Sequence, residues 1–181
     1  MTDHLTTAKT DQLIRDAQSG DADAFEALLE HYYDAMYRFA YRWCGDQGAA
    51  EDVAQNSCMK VAGAISQYRF EASFSSWLYR LVINCAKDWQ RRENRHNGEE
   101  YSEGDVASLG GNAESQIYLS QLMVRIDRWG KGYKETALLV LFEGLSHAEA
   151  GAALSVSEAT ISWRIHDIRK HLAQLEREQL S

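Results

Sequence analysis

The 181-residue chain contains no proline. The commonest interruption of a helix is therefore missing, which suits a chain built from helices throughout. Cysteine is sparse: Cys44, Cys58 and Cys85 are widely spaced and form no C-x-x-C pair. A disulfide framework or a structural zinc site needs closer spacing, so the three read as small, partly buried apolar residues in a reducing compartment. No run approaches the roughly 20 apolar residues of a membrane span, and no membrane insertion is expected. Met1–Thr10 is polar and lacks the apolar core of a secretory signal, so the expected location is the cytoplasm. The chain also lacks a phosphate-cradling glycine loop, a nucleophile motif and a metal-ligand cluster, and its six histidines are scattered. An enzyme is therefore not expected, nor any metal, cofactor or small-molecule substrate.

Positive charge is scarce too, with 19 Lys and Arg against 27 Asp and Glu for a net charge of −8. The distribution matters more than the total, because screening confines charge effects to about 10 Å at ordinary salt. Residues 1–34 carry eight acids against Lys9 and Arg15, a local −6. Residues 98–114 carry five acids and no base. Between them, residues 77–97 place Arg80, Lys87, Arg91, Arg92 and Arg95 against Asp88 and Glu93, a local +3. One basic helix is thus segregated from the acid.

What is abundant is helical periodicity. Hydrophobic residues make up 45% of the chain, with five Trp, nine Tyr and five Phe to supply a core. Phe25, Leu28, Leu29, Tyr32, Met36, Phe39, Ala40 and Trp43 recur at three- and four-residue steps, with acids at its start and Gly45 as a stop. A shorter helix over about Thr10–Ser19 precedes it. A third helix is expected over about Ala49–Ser66, with Val53, Met59, Val61 and Ile65 among its apolar positions. After a loop at Gln67–Ala72, a fourth starts near Ser73 and carries Trp77, Leu78, Leu81, Val82, Cys85 and Trp89 before turning basic. Residues 97–112 are rich in Gly, Ser and acids, the composition of a flexible linker. Helical pattern resumes over Ala113–Trp129 and Tyr133–Phe142. The expected fold is all-α: a helical unit over 1–96, an acidic linker over 97–112 and a second helical unit over 113–181.

The second unit holds the sharpest local signal. Ser146-His147-Ala148-Glu149 and Ser155-Val156-Ser157-Glu158 both fit the capping box, Ser followed three residues later by Glu. Two helices separated by a tight turn at Leu154-Ser155-Val156 form a helix-turn-helix pattern. Ile161, Ile165, Ile168, Leu172 and Leu175 stripe one side of the second helix. In such motifs the second helix enters the major groove; the plain alternative is a helical hairpin in an ordinary bundle.

Two blocks carry a family resemblance. Ala50-Glu51-Asp52-Val53-Ala54-Gln55-Asn56, followed by Gln67-Tyr68-Arg69-Phe70-Glu71-Ala72-Ser73-Phe74-Ser75-Ser76-Trp77-Leu78-Tyr79-Arg80-Leu81-Val82-Ile83-Asn84, resembles region 2 of the sigma-70 family. Glu143-Gly144-Leu145-Ser146-His147-Ala148-Glu149 and Ala159-Thr160-Ile161-Ser162-Trp163-Arg164-Ile165-His166 resemble its region 4. In this order, with an acidic linker between, they are similar to the extracytoplasmic-function RNA polymerase sigma factors. The resemblance implies a non-enzymatic subunit that binds core RNA polymerase and directs promoter recognition, DNA melting and initiation at a stress- or signal-responsive regulon. It implies contact with the clamp helices of the largest subunit through Asp52, Gln55, Asn56 and Met59, and a further contact with the flap region. It assigns the −10 element to Tyr68, Arg69, Phe70, Glu71 and Ala72 in the loop, and to Arg80, Asn84, Lys87, Arg91, Arg92 and Arg95 on the helix after it. It assigns the −35 element to Ser157, Thr160, Ser162, Trp163, Arg164, His166, Arg169 and Lys170. Arg164 leads that set, since a guanidinium can bond guanine or phosphate in bidentate fashion. An anti-sigma factor is an implied partner.

The departures from the pattern concentrate in the second unit. Trp129-Gly130-Lys131-Gly132-Tyr133 stands where Leu-Pro is usual, Ser155 replaces the turn glycine and Gly151 a bulky residue. Trp163 replaces a small polar residue and Asp167 an arginine. In region 2, Asn56 replaces the usual acid and Cys58 the usual aromatic. Residues 155–181 balance four bases against four acids. A stand-alone helix-turn-helix regulator, and a relative that has lost its DNA surface, are the competing readings.

Overall fold

The computed structural model describes residues 7–96 and 113–179; the linker expected over 97–112 lies outside the described residues. Every regular element among the described residues is helical. The first unit comprises α1 (Thr7–Gln18), α2 (Ala22–Cys44), α3 (Gln47–Ala64), a single 3-10 turn (Ile65–Gln67) and α4 (Phe74–His96). The second comprises α5 (Ala113–Trp129), α6 (Tyr133–Ala137) running into a π-helical turn (Leu138–Phe142), α7 (His147–Leu154) and α8 (Glu158–Gln179).

The boundaries follow from local chemistry. Asp21 caps α2 by accepting from the Ala24 N–H, and Asp46 caps α3 by accepting from Ala49 at 2.8 Å. Each satisfies a donor that the first turn leaves without a partner in its own helix. Gly45 ends α2 in the left-handed region, its N–H bonded to the Tyr41 carbonyl, a conformation open to a residue without Cβ. The stripe along α2 turns inward, with Met36, Phe39 and Ala40 fully buried.

The helix-turn-helix forms, with one correction to its caps. Ser146 and Glu149 make the reciprocal capping box, and the Ser146 N–H and hydroxyl hold the Glu149 carboxyl below its usual pKa. The second box does not form. Ser155 instead terminates α7 in the left-handed region at φ 55°, and Ser157 caps α8 by accepting from the Thr160 N–H. The turn needs a left-handed residue at position 155, so the capping role passes two residues on. Gly151 has a tight reason as well, because a Cβ there would lie 2.8 Å from the Val156 carbonyl.

The two units are packed together, and one hydrophobic core runs through both. Their seam is unusually polar. Arg42 of α2 pairs with Glu143 at 2.6 Å, and Tyr79 of α4 donates to the other oxygen of that carboxylate at 2.7 Å. Lys87 of α4 pairs with Glu135 of α6 at 2.6 Å. Lys134, only 4% exposed, donates to the Trp43 carbonyl and lies over the Trp43 ring. Burial lowers the Lys134 pKa and raises that of Tyr79, which therefore stays a donor. Ser76 donates to the Glu149 carbonyl, tying α4 to α7.

Candidate functional site

Three surfaces gather the residues singled out above. On α3, the inward side is made of small or slim residues, Ala50, Val53, Ala54, Ser57 and Val61, which draws this helix close to α2. The opposite side carries Asp52, Gln55 and Met59, all exposed, with Asn56 half-buried beside them. Met59, counted by periodicity among the apolar positions of α3, is 64% exposed. An unbranched thioether standing free on a polar helix face is a feature of adaptable protein-binding surfaces.

The second surface surrounds the loop between the 3-10 turn and α4. Gln18 of α1 anchors it, its side-chain amide donating to the Ile65 and Tyr68 carbonyls at 2.9 and 2.8 Å. Tyr68 is a strut here: its ring is buried against Phe74 and Trp77, and its hydroxyl donates to the Ala72 carbonyl at 2.7 Å. That bond curls the loop so that Arg69, Glu71 and Ala72 are exposed at its tip. Phe70 adopts φ 60°, and the Arg15 guanidinium lies 4.3 Å from its ring centre. A bulky residue in that region of backbone space marks strain that surrounding contacts must hold.

Between this loop and α4 opens a cavity of about 160 Å³. Gln67, Tyr68, Arg69, Glu71 and Ala72 form one wall, Ser76, Trp77 and Arg80 the other, and Ala152 of α7 closes the rim. Trp77, on the apolar stripe of α4, is half-buried and packs against the core while also lining the cavity. Its place one turn before Arg80 was the available signal. Further along α4, Asn84, Arg91, Arg92 and Arg95 are exposed, and Arg91 pairs with Asp88 at 3.1 Å. Lys87, on the same stripe, is drawn to Glu135.

The third surface is α8. Ile161, Ile165 and Ile168 are buried, which turns Ser162, Trp163, His166, Arg169 and Lys170 to the exterior. The remaining candidates are occupied within the protein. Ser157 and Thr160 bond each other and the cap. Arg164 is half-buried, reaching the Gly132 carbonyl at 3.5 Å and the Thr136 hydroxyl at 3.4 Å. Its guanidinium turns inward here, and Gly132 makes room for it: a Cβ there would lie 2.5 Å from the guanidinium. Asp167 accepts from the Tyr133 hydroxyl at 2.7 Å and lies 3.6 Å from His171. Burial and this carboxylate push the Tyr133 pKa up to about 12. The acid that replaces a family arginine is therefore bonded to its own domain.

None of the three cysteines is bonded to another, and burial pushes the Cys44 thiol up to about 12, far from a reactive thiolate at neutral pH. Among the described residues no group of His, Cys, Asp or Glu is placed to hold a metal ion. No described helix is long and apolar enough to cross a membrane.

An all-helical chain that pairs a loop-bounded cavity beside a basic helix with a C-terminal helix-turn-helix defines a class, and comparison with known proteins agrees. The family model for sigma-70 region 2 matches residues 28–96. The chain is 32% identical over 156 residues to the extracytoplasmic-function sigma factor SigE of Mycolicibacterium smegmatis, covering 82% of this chain and 60% of that protein. It thus spans less than two thirds of that relative. It is 27% identical to SigW of Bacillus subtilis, covering 88% of this chain and 92% of the relative. The solved structure of CnrH in complex with the cytosolic domain of CnrY shares the fold, with a TM-score of 0.72 at 22% identity over 92% of this chain and 96% of that one. The sigma factor RpoE of Bartonella quintana, solved with the anti-sigma factor NepR, gives a TM-score of 0.69 at 20% identity over 84% of this chain and 96% of that one. The chain is thus similar over most of its length to extracytoplasmic-function sigma factors, and its residues 28–96 match sigma-70 region 2.

Proposed function

We propose that this protein binds core RNA polymerase in the cytoplasm and directs it to promoters of a stress- or signal-responsive regulon, where it assists DNA opening. The observation that carries this reading is the cavity rimmed by Arg69, Glu71, Trp77 and Arg80 beside the exposed Asn84 and Arg91. Opening a duplex requires a site that holds a base after it leaves the stack, which costs a few kcal/mol. A concave pocket with an aromatic wall, next to cations for the phosphates, meets that need. Residues 1–96 then serve polymerase and the −10 element, residues 97–112 connect, and residues 113–181 serve the −35 element.

The packed arrangement suits the protein away from promoters. The labels −10 and −35 put the two elements about 25 base pairs, or about 85 Å at about 3.4 Å each, apart along B-form DNA, whereas here the units touch, Lys87 is held by Glu135 and Ala152 sits on the cavity rim. The 16 residues of 97–112 span at most about 55 Å when extended, enough with the length of the helices for the units to separate. The same closed seam offers one surface to an anti-sigma partner, as NepR is for RpoE.

The test is transcription in vitro with core polymerase across a genomic promoter library. Wild type should yield transcripts only with core enzyme present, and the double variant Asp52→Ala with Gln55→Ala should lose at least about ten-fold, the loss of two charge-assisted contacts. Specific promoter binding without polymerase would instead support a stand-alone regulator. Transcription unchanged in the double variant would remove α3 from the polymerase interface.

A further inference from the structure

The recognition helix of this protein has little free positive charge at its reading end, where Glu158 is exposed. Ser157 and Thr160 are engaged in the cap, Ser162 is bonded to His147 at 2.8 Å, and Arg164 is turned back onto Gly132. What stands outward there is a large aromatic side chain, Trp163, 60% exposed. It falls within the first two turns of α8, the stretch that reaches base edges when such a helix enters the major groove. Its ring meets the Tyr133 ring edge-on, centroids 6.0 Å apart at 78°. Tyr133 is itself buried and pinned by its bond to Asp167. Trp163 is therefore braced from one side and open on the other.

We propose that Trp163 reads the C5-methyl groups of thymine in the −35 element, so that this protein selects thymine at positions where an arginine-led helix would select guanine. The inference rests on the −35 role of α8 proposed above. Thymine presents the one apolar group among the four bases in the major groove, and apolar side chains are its natural partners. Single exposed hydrophobic residues are common on surfaces and need no explanation in general. Here the position, the bracing and the inward turn of Arg164 together set Trp163 apart. Arg169 and Lys170, exposed one to two turns further on, supply phosphate contacts that hold the helix in the groove without reading sequence.

The experiment is selection of promoter duplexes by reconstituted holoenzyme from a library randomised across the −35 element. The library is amplified once with dTTP and once with dUTP, which removes the methyl group alone. Wild type should enrich thymine at one or two positions about four-fold, the ratio that burying one methyl-sized group gives, and should not enrich uracil there. Trp163→Ser should lose the enrichment, whereas Trp163→Phe, which keeps an apolar ring, should retain most of it. Both variants alter an exposed side chain, and a circular dichroism melt checks that they fold. The same preference with uracil, or an unaltered preference in Trp163→Ser, overturns the proposal. So does a Trp163→Ser defect confined to polymerase binding, which would make Trp163 a protein contact. A wild-type holoenzyme that depends on the −10 element but shows no −35 preference overturns the role of α8, and this proposal with it.

Discussion

Gly132 and Arg164 show how one missing Cβ redirects a functional side chain. Gly132 sits at φ +88°, where L side chains are strained, and the Arg164 guanidinium occupies the space a Cβ would take. Gly132→Ala therefore carries a backbone penalty, while the clash is with the end of a flexible side chain that can move aside. The substitution should destabilise the protein by about 2 kcal/mol, read as a lower denaturation midpoint at unchanged slope. The clash also expels Arg164 from its pocket, restoring the cation that the sequence motif places toward DNA. Asp167 makes the complementary point. Its bond to the Tyr133 hydroxyl turns the carboxylate toward its own domain without removing its charge.

The short turn between α7 and α8 carries the clearest element-level compromise. Ser155 occupies a left-handed conformation that costs an L residue roughly 1 kcal/mol and glycine little. Ser155→Gly should thus raise stability by about 0.5–1 kcal/mol, seen as an upward shift of the thermal midpoint. No gain would mean that Ser155 contributes a compensating interaction in its present place. The loop after the 3-10 turn holds its strain differently. There Phe70 is left-handed, with the Arg15 side chain of α1 over its ring, while Gln18 of α1 and the Tyr68 hydroxyl hold the loop around it. The strain falls at the mouth of the cavity, where loop geometry decides what can enter.

For the molecule as a whole, the seam between the units is the main determinant of behaviour. A purely apolar seam would hold the units together without means of release, whereas here much of it is ion pairs and hydrogen bonds. The Trp43 indole N–H is even left buried without a partner among the described residues, a cost of about 1–3 kcal/mol. Glu143 is the hub, since it accepts from both Arg42 and Tyr79. Glu143→Ala leaves that guanidinium and hydroxyl facing apolar surface, at a cost of about 3 kcal/mol to the closed form. Fluorescence transfer between labels on the outer faces of α3 and α8 should then report a longer mean distance than in wild type. An unchanged distance would show that apolar packing alone keeps the units closed.

The amino-acid sequence was enough for the helices, their order and the class of protein. The class rests on the resemblance of two sequence blocks to the sigma-70 family. The helices and their order rest on short-range rules: three- and four-residue spacing, a capping side chain three positions from its donor, a glycine where the chain must turn left-handed. Asp52, Gln55 and Met59 share a face of α3 for the same reason, as do Arg80, Asn84 and Arg91 on α4. The second capping box misled because two serines lie two residues apart and either can cap; the backbone conformation demanded of Ser155 settled which. Side-chain direction and availability came from further away. Tyr68 became a strut because Phe74 and Trp77 close over it. Lys87 is occupied by Glu135, a residue 48 positions later in the chain, and Glu143 is bonded to Arg42, 101 positions earlier. Arg164 turns inward because Gly132 leaves room, while Trp163 faces out because its helix buries the isoleucines instead. Such partners meet only after the chain has folded, since an ion pair or a clash depends on distance in space, and local periodicity carries no record of that.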